Sequence, residues 1–243
     1  MFTQTYGRDS VNTGEGYVLF APKNYQAPNT IPGHIHAHGA GNDSTEPLLA
    51  GGLNAFISGV AKQRRVISTD MGGVQTWGND TAIARMTAAK TFVGSQGGKI
   101  SAKMSLSGLS MGGASVLAWA AQNKSLIGCM VLMIPVLDIT DIVSNNRSGS
   151  AATVNACYSG GWSEGTYGAT HNPYTMAVAG AYSDLPIMIV NGSTDPISVP
   201  ARVSAFAAAA GNVTVRTFAG GHDMSLGASF VPEMLDFVNT YAK

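Results

Sequence analysis

The chain has 243 residues, 45% of them hydrophobic, enough to bury about three-quarters of its extended surface in one core, so a single domain over residues 1–243 is predicted. Charge is sparse at 12% and balanced, 14 basic against 14 acidic residues, which leaves no long-range field to draw in nucleic acid or an anionic lipid surface and excludes both as expected partners. The longest apolar run, Leu126 to Leu137, is shorter than a membrane span and contains Pro135, so no membrane span is expected.

Met1-Phe2-Thr3-Gln4-Thr5-Tyr6 lacks the basic start and apolar stretch of a secretory signal. A soluble chain is expected and its compartment stays open, although the richness in Gly, Ala, Ser, Thr and Asn is compatible with a secreted or virion-associated protein. Gly16 to Pro22 reads as an early strand at the edge of a sheet, stopped by Pro22, with Lys23-Asn24-Tyr25 and Pro28 to Pro32 as a loop. Gly33 to His38 is strand-like and runs into Gly39-Ala40-Gly41-Asn42-Asp43. Alternation places His34, His36 and His38 on one face of that strand, which suits either a metal site or packed histidines. No carboxylate or cysteine completes a recognised ligand motif, and no metal is expected.

Pro47 to Gln63 carries apolar residues at helical spacing, interrupted by a glycine pair. Arg65 to Thr69 is a short strand ending at Asp70, and Asp80 to Gln96 is a helix capped by Asn79. Ile100 to Leu106 reads as a strand, Ala114 to Ala121 as a helix, and Ile127 to Ile134 as an apolar strand covered on both faces. Residues 138–184 break the rhythm: they are rich in Ser, Asn, Gly and aromatic residues without a sustained period, and predict a lid insertion covering the site. Its aromatics (Tyr158, Trp162, Tyr167, Tyr174) and Trp77 are candidates for lining an apolar pocket or for packing alone. His171 is a surface residue or a substrate contact. Cys129, in the apolar strand, and Cys157, in the insertion, are expected as free thiols.

Order returns with Pro186 to Val190 as a strand, Ser198 to Ala210 as a helix, Val213 to Phe218 as a strand and Phe230 to Tyr241 as a closing helix. This alternation predicts an α/β fold: a mostly parallel twisted sheet with helices on both faces and right-handed crossovers.

Between the strand ending at Leu106 and the following helix stands Ser107-Gly108-Leu109-Ser110-Met111-Gly112-Gly113, a G-x-S-x-G in strand-turn-helix context. Gly108 and Gly112 lack the Cβ atoms that would collide in so sharp a reversal, so Ser110 projects as a nucleophile and the Met111 N–H faces a developing oxyanion. In such a sheet, ligands collect beyond the carboxyl ends of the strands. Two further candidates follow strands there: Asp195 in Asn191-Gly192-Ser193-Thr194-Asp195-Pro196, and His222 in Gly220-Gly221-His222-Asp223. An imidazole can take the serine proton and return it to a leaving group, and a carboxylate on its other nitrogen fixes the tautomer.

The elbow GLSMGG, the loop NGSTDPI and the loop GGHD together resemble the α/β-hydrolase family from about Tyr17 to Tyr241. The resemblance implies Ser110 as nucleophile, His222 as base and Asp195 as acid. It also implies Met111 and Ala40 as oxyanion donors, with Gly39 in place of Ala40 as the fallback; His38 reads as a brace for that loop by hydrogen bonding. Asp138 is the rival acid one strand earlier, whereas Asp223 reads as a loop cap and Asp70 and Asp80 as structural. The implied activity is a cofactor-free serine hydrolase (esterase/lipase-like) that cleaves a carboxylic ester of a small molecule or an acylated carbohydrate or lipid, with peptidase or thioesterase action less favoured. The alternative is a non-catalytic binding or particle-surface module on the same fold.

Overall fold

The computed structural model describes residues 1–9, 15–23, 30–49, 51–95, 99–100 and 103–242. Its strands and helices in chain order are β1 (Phe2–Asp9), β2 (Glu15–Pro22), β3 (Thr30–Ile31), β4 (Gly33–Ala37), α1 (Gly52–Val60), β5 (Arg65–Thr69), α2 (Asp80–Ser95), β6 (Lys99–Ile100), β7 (Met104–Leu109), α3 (Met111–Gln122), β8 (Ile127–Met133), α4 (Ile139–Ser144), α5 (Ala151–Ala156), α6 (Glu164–His171), α7 (Pro173–Val178), β9 (Ile187–Gly192), α8 (Pro200–Ala210), β10 (Val213–Phe218) and α9 (Val231–Tyr241). Eight strands form one sheet in the order β1-β2-β5-β4-β7-β8-β9-β10. From β5 to β10 the neighbours are parallel; β1 and β2 pair antiparallel at one side.

The period of two along each strand divides the core. In β8, Met130 and Leu132 pack with Trp119 of α3, Met86 of α2 and Phe206 of α8, whereas Cys129, Val131 and Met133 pack with Phe56 of α1 and Val238 of α9. Helices thus cover both faces. That burial leaves the Cys129 thiol free but pushes its pKa up to about 12, so it behaves as a small apolar group. Among the described residues no helix is long and apolar enough to cross a membrane.

Three expectations are corrected. The strand at Gly16–Pro22 is not an edge, because β1 lies outside it; Phe2–Asp9 lacks the apolar alternation that would have revealed a strand. Ile100 to Leu106 is not one strand: Lys99–Ile100 pairs with Thr30–Ile31, in the stretch expected as loop, and β7 carries on to Leu109. The insertion is not irregular, since four helices of six to eight residues lie between Ile139 and Val178, each too short to display a period. The loop positions 24–25 and 28–29, the strand residues 101–102 and the helix end at 96 lie outside the described residues.

The insertion is held by polar clamps. Burial by itself would raise the Asp141 carboxyl, but hydrogen bonds from Arg147 and Arg202 and their charges outweigh it and hold the group below its ordinary value of 3.8. A depressed folded pKa contributes stability that is present above the unfolded value and is lost as pH falls through the folded one. Asp141→Asn is therefore expected to lower Tm at pH 7 and to lose less of it than wild type as pH falls below 3.8; parallel Tm-versus-pH curves would refute this.

Candidate active site

β7 delivers the chain into a sharp reversal at Ser110, whose φ of 52° and ψ of −116° lie outside the regions open to most L-residues, at a cost of about 1–3 kcal/mol. Two glycines permit it. A Cβ on Gly108 would lie 2.5 Å from the Gly112 carbonyl oxygen, and one on Gly112 would lie 2.1 Å from that of Ala37. As the first residue of α3, Met111 has an N–H with no partner one turn back.

Three side chains from separate strand ends meet here. The Ser110 Oγ lies 2.7 Å from Nε2 of His222, and Nδ1 of His222 lies 2.9 and 2.8 Å from the two carboxylate oxygens of Asp195. Asp195 is buried, and its Oδ1 also accepts the N–H groups of Ile197 and Ser198, each at 2.8 Å, so the turn after β9 aims the carboxylate. Asp138 is engaged elsewhere: it caps α4 through Asp141 N–H and accepts from Asn172 and Arg202. Asp223 caps the turn after His222 by accepting the Ser225 N–H, and the hydrogen bonds from Ser225 hold its carboxyl below the ordinary value.

Beside Ser110 and His222 opens a cavity of about 300 Å³, with Ala40 and Gly39 on its wall and Leu53, Leu109, Ile134 and Met224 as its apolar lining. The loop after β4 is tightly pinned. The His38 ring faces the carbonyls of Gly39 (2.8 Å) and Asp70 (2.9 Å), Gly39 N–H is taken by Glu46, and Gly41 N–H donates to Val74 at 2.8 Å. Gly39, the fallback donor, is therefore committed. Among the described residues, nothing accepts the Ala40 N–H.

The insertion flanks this cavity without lining it. Tyr158, Trp162 and Tyr167 pack on one another at centroid separations of 4.8 to 6.0 Å, edge-on, tilted and stacked, cluster with Trp77 and Met111, and none is among the cavity residues. The insertion's aromatic surface is spent on its own core. His171 is neither surface residue nor cavity wall. It is buried, edge-on to Tyr158, and paired with Asp80 at 3.0 Å. His34 and His36 point to one face as expected, but toward serines, and among the described residues no group of three or more His, Cys, Asp or Glu could hold a metal ion. Sequence reasoning missed Glu46 and the apolar cavity residues, because nothing local marks Thr45-Glu46-Pro47 as more than a helix start.

No protein-family model matches this chain, and no curated protein does. Solved structures do match, several of them over nearly the whole length of both partners. A ferulic acid esterase is 15% identical with a TM-score of 0.72, covering 99% of each chain. An S-formylglutathione hydrolase from Agrobacterium tumefaciens is 12% identical with a TM-score of 0.78, covering 100% of this chain and 96% of the other. This chain has the α/β-hydrolase fold. FphF, a fluorophosphonate-binding serine hydrolase of Staphylococcus aureus, shares the α/β-hydrolase fold at 15% identity and a TM-score of 0.74, with 98% of each chain covered.

Proposed function

We propose that the chain is a serine hydrolase that cleaves a carboxylic ester through an acyl-enzyme, with Ser110 as nucleophile, His222 as acid-base, Asp195 as its orienting carboxylate, and the N–H groups of Met111 and Ala40 as oxyanion donors. The unbroken hydrogen-bonded line from Ser110 Oγ through His222 to Asp195, at the wall of a cavity, carries this reading.

In this mechanism Ser110 Oγ attacks the ester carbonyl carbon while His222 Nε2 takes its proton. The oxygen that gains charge lies against two backbone amides, and losing one such donor typically costs about 10²- to 10³-fold in rate. Collapse expels the alcohol, protonated by His222, and water repeats the sequence on the acyl-serine. Leu53, Leu109, Ile134 and Met224 favour an apolar group of modest size on one side of the bond. The expected substrates are small-molecule esters or acylated carbohydrates and lipids; the ferulic acid esterase and the fluorophosphonate-binding serine hydrolase on this fold support the same direction. The same reading takes residues 1–243 as one domain in which 138–184 form a cap buttressing the Met111 side of the nucleophile.

A fluorophosphonate probe is expected to phosphonylate Ser110, detected by peptide mass spectrometry. Folded protein that yields no adduct would favour the non-catalytic binding module instead.

A further inference from the structure

The histidine ladder has no part in the chemistry above, and its burial is complete: His34, His36, Ser105 and Ser107 are all 0% exposed. Parallel register sets His34 opposite Ser105 and His36 opposite Ser107. Nδ1 of His34 lies 2.8 Å from Ser105 Oγ and its Nε2 2.8 Å from Ser107 Oγ; Nδ1 of His36 lies 2.9 Å from Ser107 Oγ and its Nε2 3.2 Å from Glu46 Oε2. Burial, with His36 and Arg64 nearby, keeps the His34 pKa well below its ordinary value, so this ring is neutral with one donor and one acceptor.

With His36 in its neutral form, as His34 is, one arrangement of protons satisfies every member. A carboxylate only accepts, so His36 donates from Nε2 to Glu46 and accepts at Nδ1 from Ser107. Ser107 then accepts from His34 Nε2–H, and His34 accepts at Nδ1 from Ser105. The tautomers, assigned from this network, align four donors in one direction, ending on Glu46.

Glu46 is itself buried at 2% exposure, which is costly for a carboxylate without partners. Besides His36 it accepts Gly39 N–H, 3.0 Å from both oxygens, and Asn42 Nδ2 at 2.5 Å. Its partners thus join the ladder to the loop on the cavity wall. With Gly39 N–H on Glu46, Gly41 N–H on Val74 and Asn42 N–H on the Gly39 carbonyl, the amides on both sides of Ala40 are committed.

We propose that Glu46 is a positioning residue for the oxyanion site: it turns the loop so that Ala40 N–H is the amide presented to the reacting carbonyl, and the buried Ser105-His34-Ser107-His36 chain orients its carboxylate. This rests on the hydrolase reading above. Glu46→Gln tests the chain itself, because a glutamine can keep its oxygen toward Gly39 and Asn42 while its amide donates to His36; both imidazoles then switch tautomer and the whole chain reverses, at the loss only of the second branch of the Gly39 N–H bond.

The measurement is p-nitrophenyl butyrate hydrolysis, together with inhibition by a trifluoromethyl ketone, whose serine adduct places an oxyanion in the site. Glu46→Ala is expected to lower kcat about tenfold or more with KM within about twofold, and to weaken the ketone by a similar factor, as for interactions made only in the transition state. Glu46→Gln is expected to retain kcat within about threefold of wild type. Unchanged kcat in Glu46→Ala, a loss that leaves ketone affinity intact, or a Gln variant as impaired as the Ala one would each overturn the proposal. Should Glu46→Ala fail to fold, Ser107→Ala, which breaks the chain away from the loop, decides: kcat and ketone affinity falling together support it, and no change in either refutes it. Wild type that neither turns over ester nor takes a fluorophosphonate would sink the hydrolase reading and this proposal with it, whereas an active enzyme indifferent to Glu46 sinks this one alone.

Discussion

Replacing Ser110 by alanine is expected to reduce ester turnover by about 10⁶-fold, to the background set by the binding site and the oxyanion amides. The substitution removes only Oγ, so the hydrogen bond to His222 and the attacking atom vanish together. The backbone stays committed: Ser110 N–H donates to Met133 and its carbonyl accepts from Gly113 and Val136, each at 2.9 Å. Alanine retains the Cβ, hence the same strained φ, and the variant is expected to unfold at the wild-type temperature within a few degrees. Titration with a fluorophosphonate and p-nitrophenyl ester assays on the same preparation check both halves. Turnover that survives the substitution would place the nucleophile elsewhere.

Asp195→Asn is expected to lower kcat by about 10⁴-fold through the wrong tautomer rather than through lost packing. The direction comes from the turn. Ile197 and Ser198 present two N–H groups to Oδ1, so the amide oxygen of asparagine takes that position and its NH₂ takes the place of Oδ2. That NH₂ donates to His222 Nδ1, which was 2.8 Å from Oδ2, and forces the ring proton onto Nε2 facing Ser110. The imidazole can no longer accept the serine proton. Proton NMR of the ring nitrogens and kcat on one ester would decide it; a variant with wild-type kcat would remove Asp195 from the mechanism. Asp138→Asn should disturb α4 and leave kcat near wild type, since its oxygens cap that helix and meet Arg202.

Much of the fold was legible because strands and helices announce themselves by period. Arg65–Thr69 matches its reading residue for residue, and Asn79 caps α2 through a bond to the Ala82 N–H. The elements that escaped were those with no period to read: β1, whose apolar residues do not alternate, the two-residue strands β3 and β6, and the short helices of the insertion. Composition reports that the insertion's aromatics are buried but not against what; Tyr158 packs with Trp77 and its own neighbours.

The amino-acid order alone determined that Ser110, Asp195 and His222 each follow a strand, and in a parallel sheet all such positions lie along one edge, so their convergence needed no knowledge of side-chain contacts. Only the tertiary structure decided what stands behind them. Glu46 under Gly39, the serines facing His34 and His36, and an Ala40 N–H with no acceptor among the described residues all depend on the register between β4 and β7 and on a helix start folding back beneath a loop. Register is a relation between segments some 70 residues apart, and no local pattern carries it: hydrophobic periodicity says which face of a strand is covered, and the partner is chosen by packing.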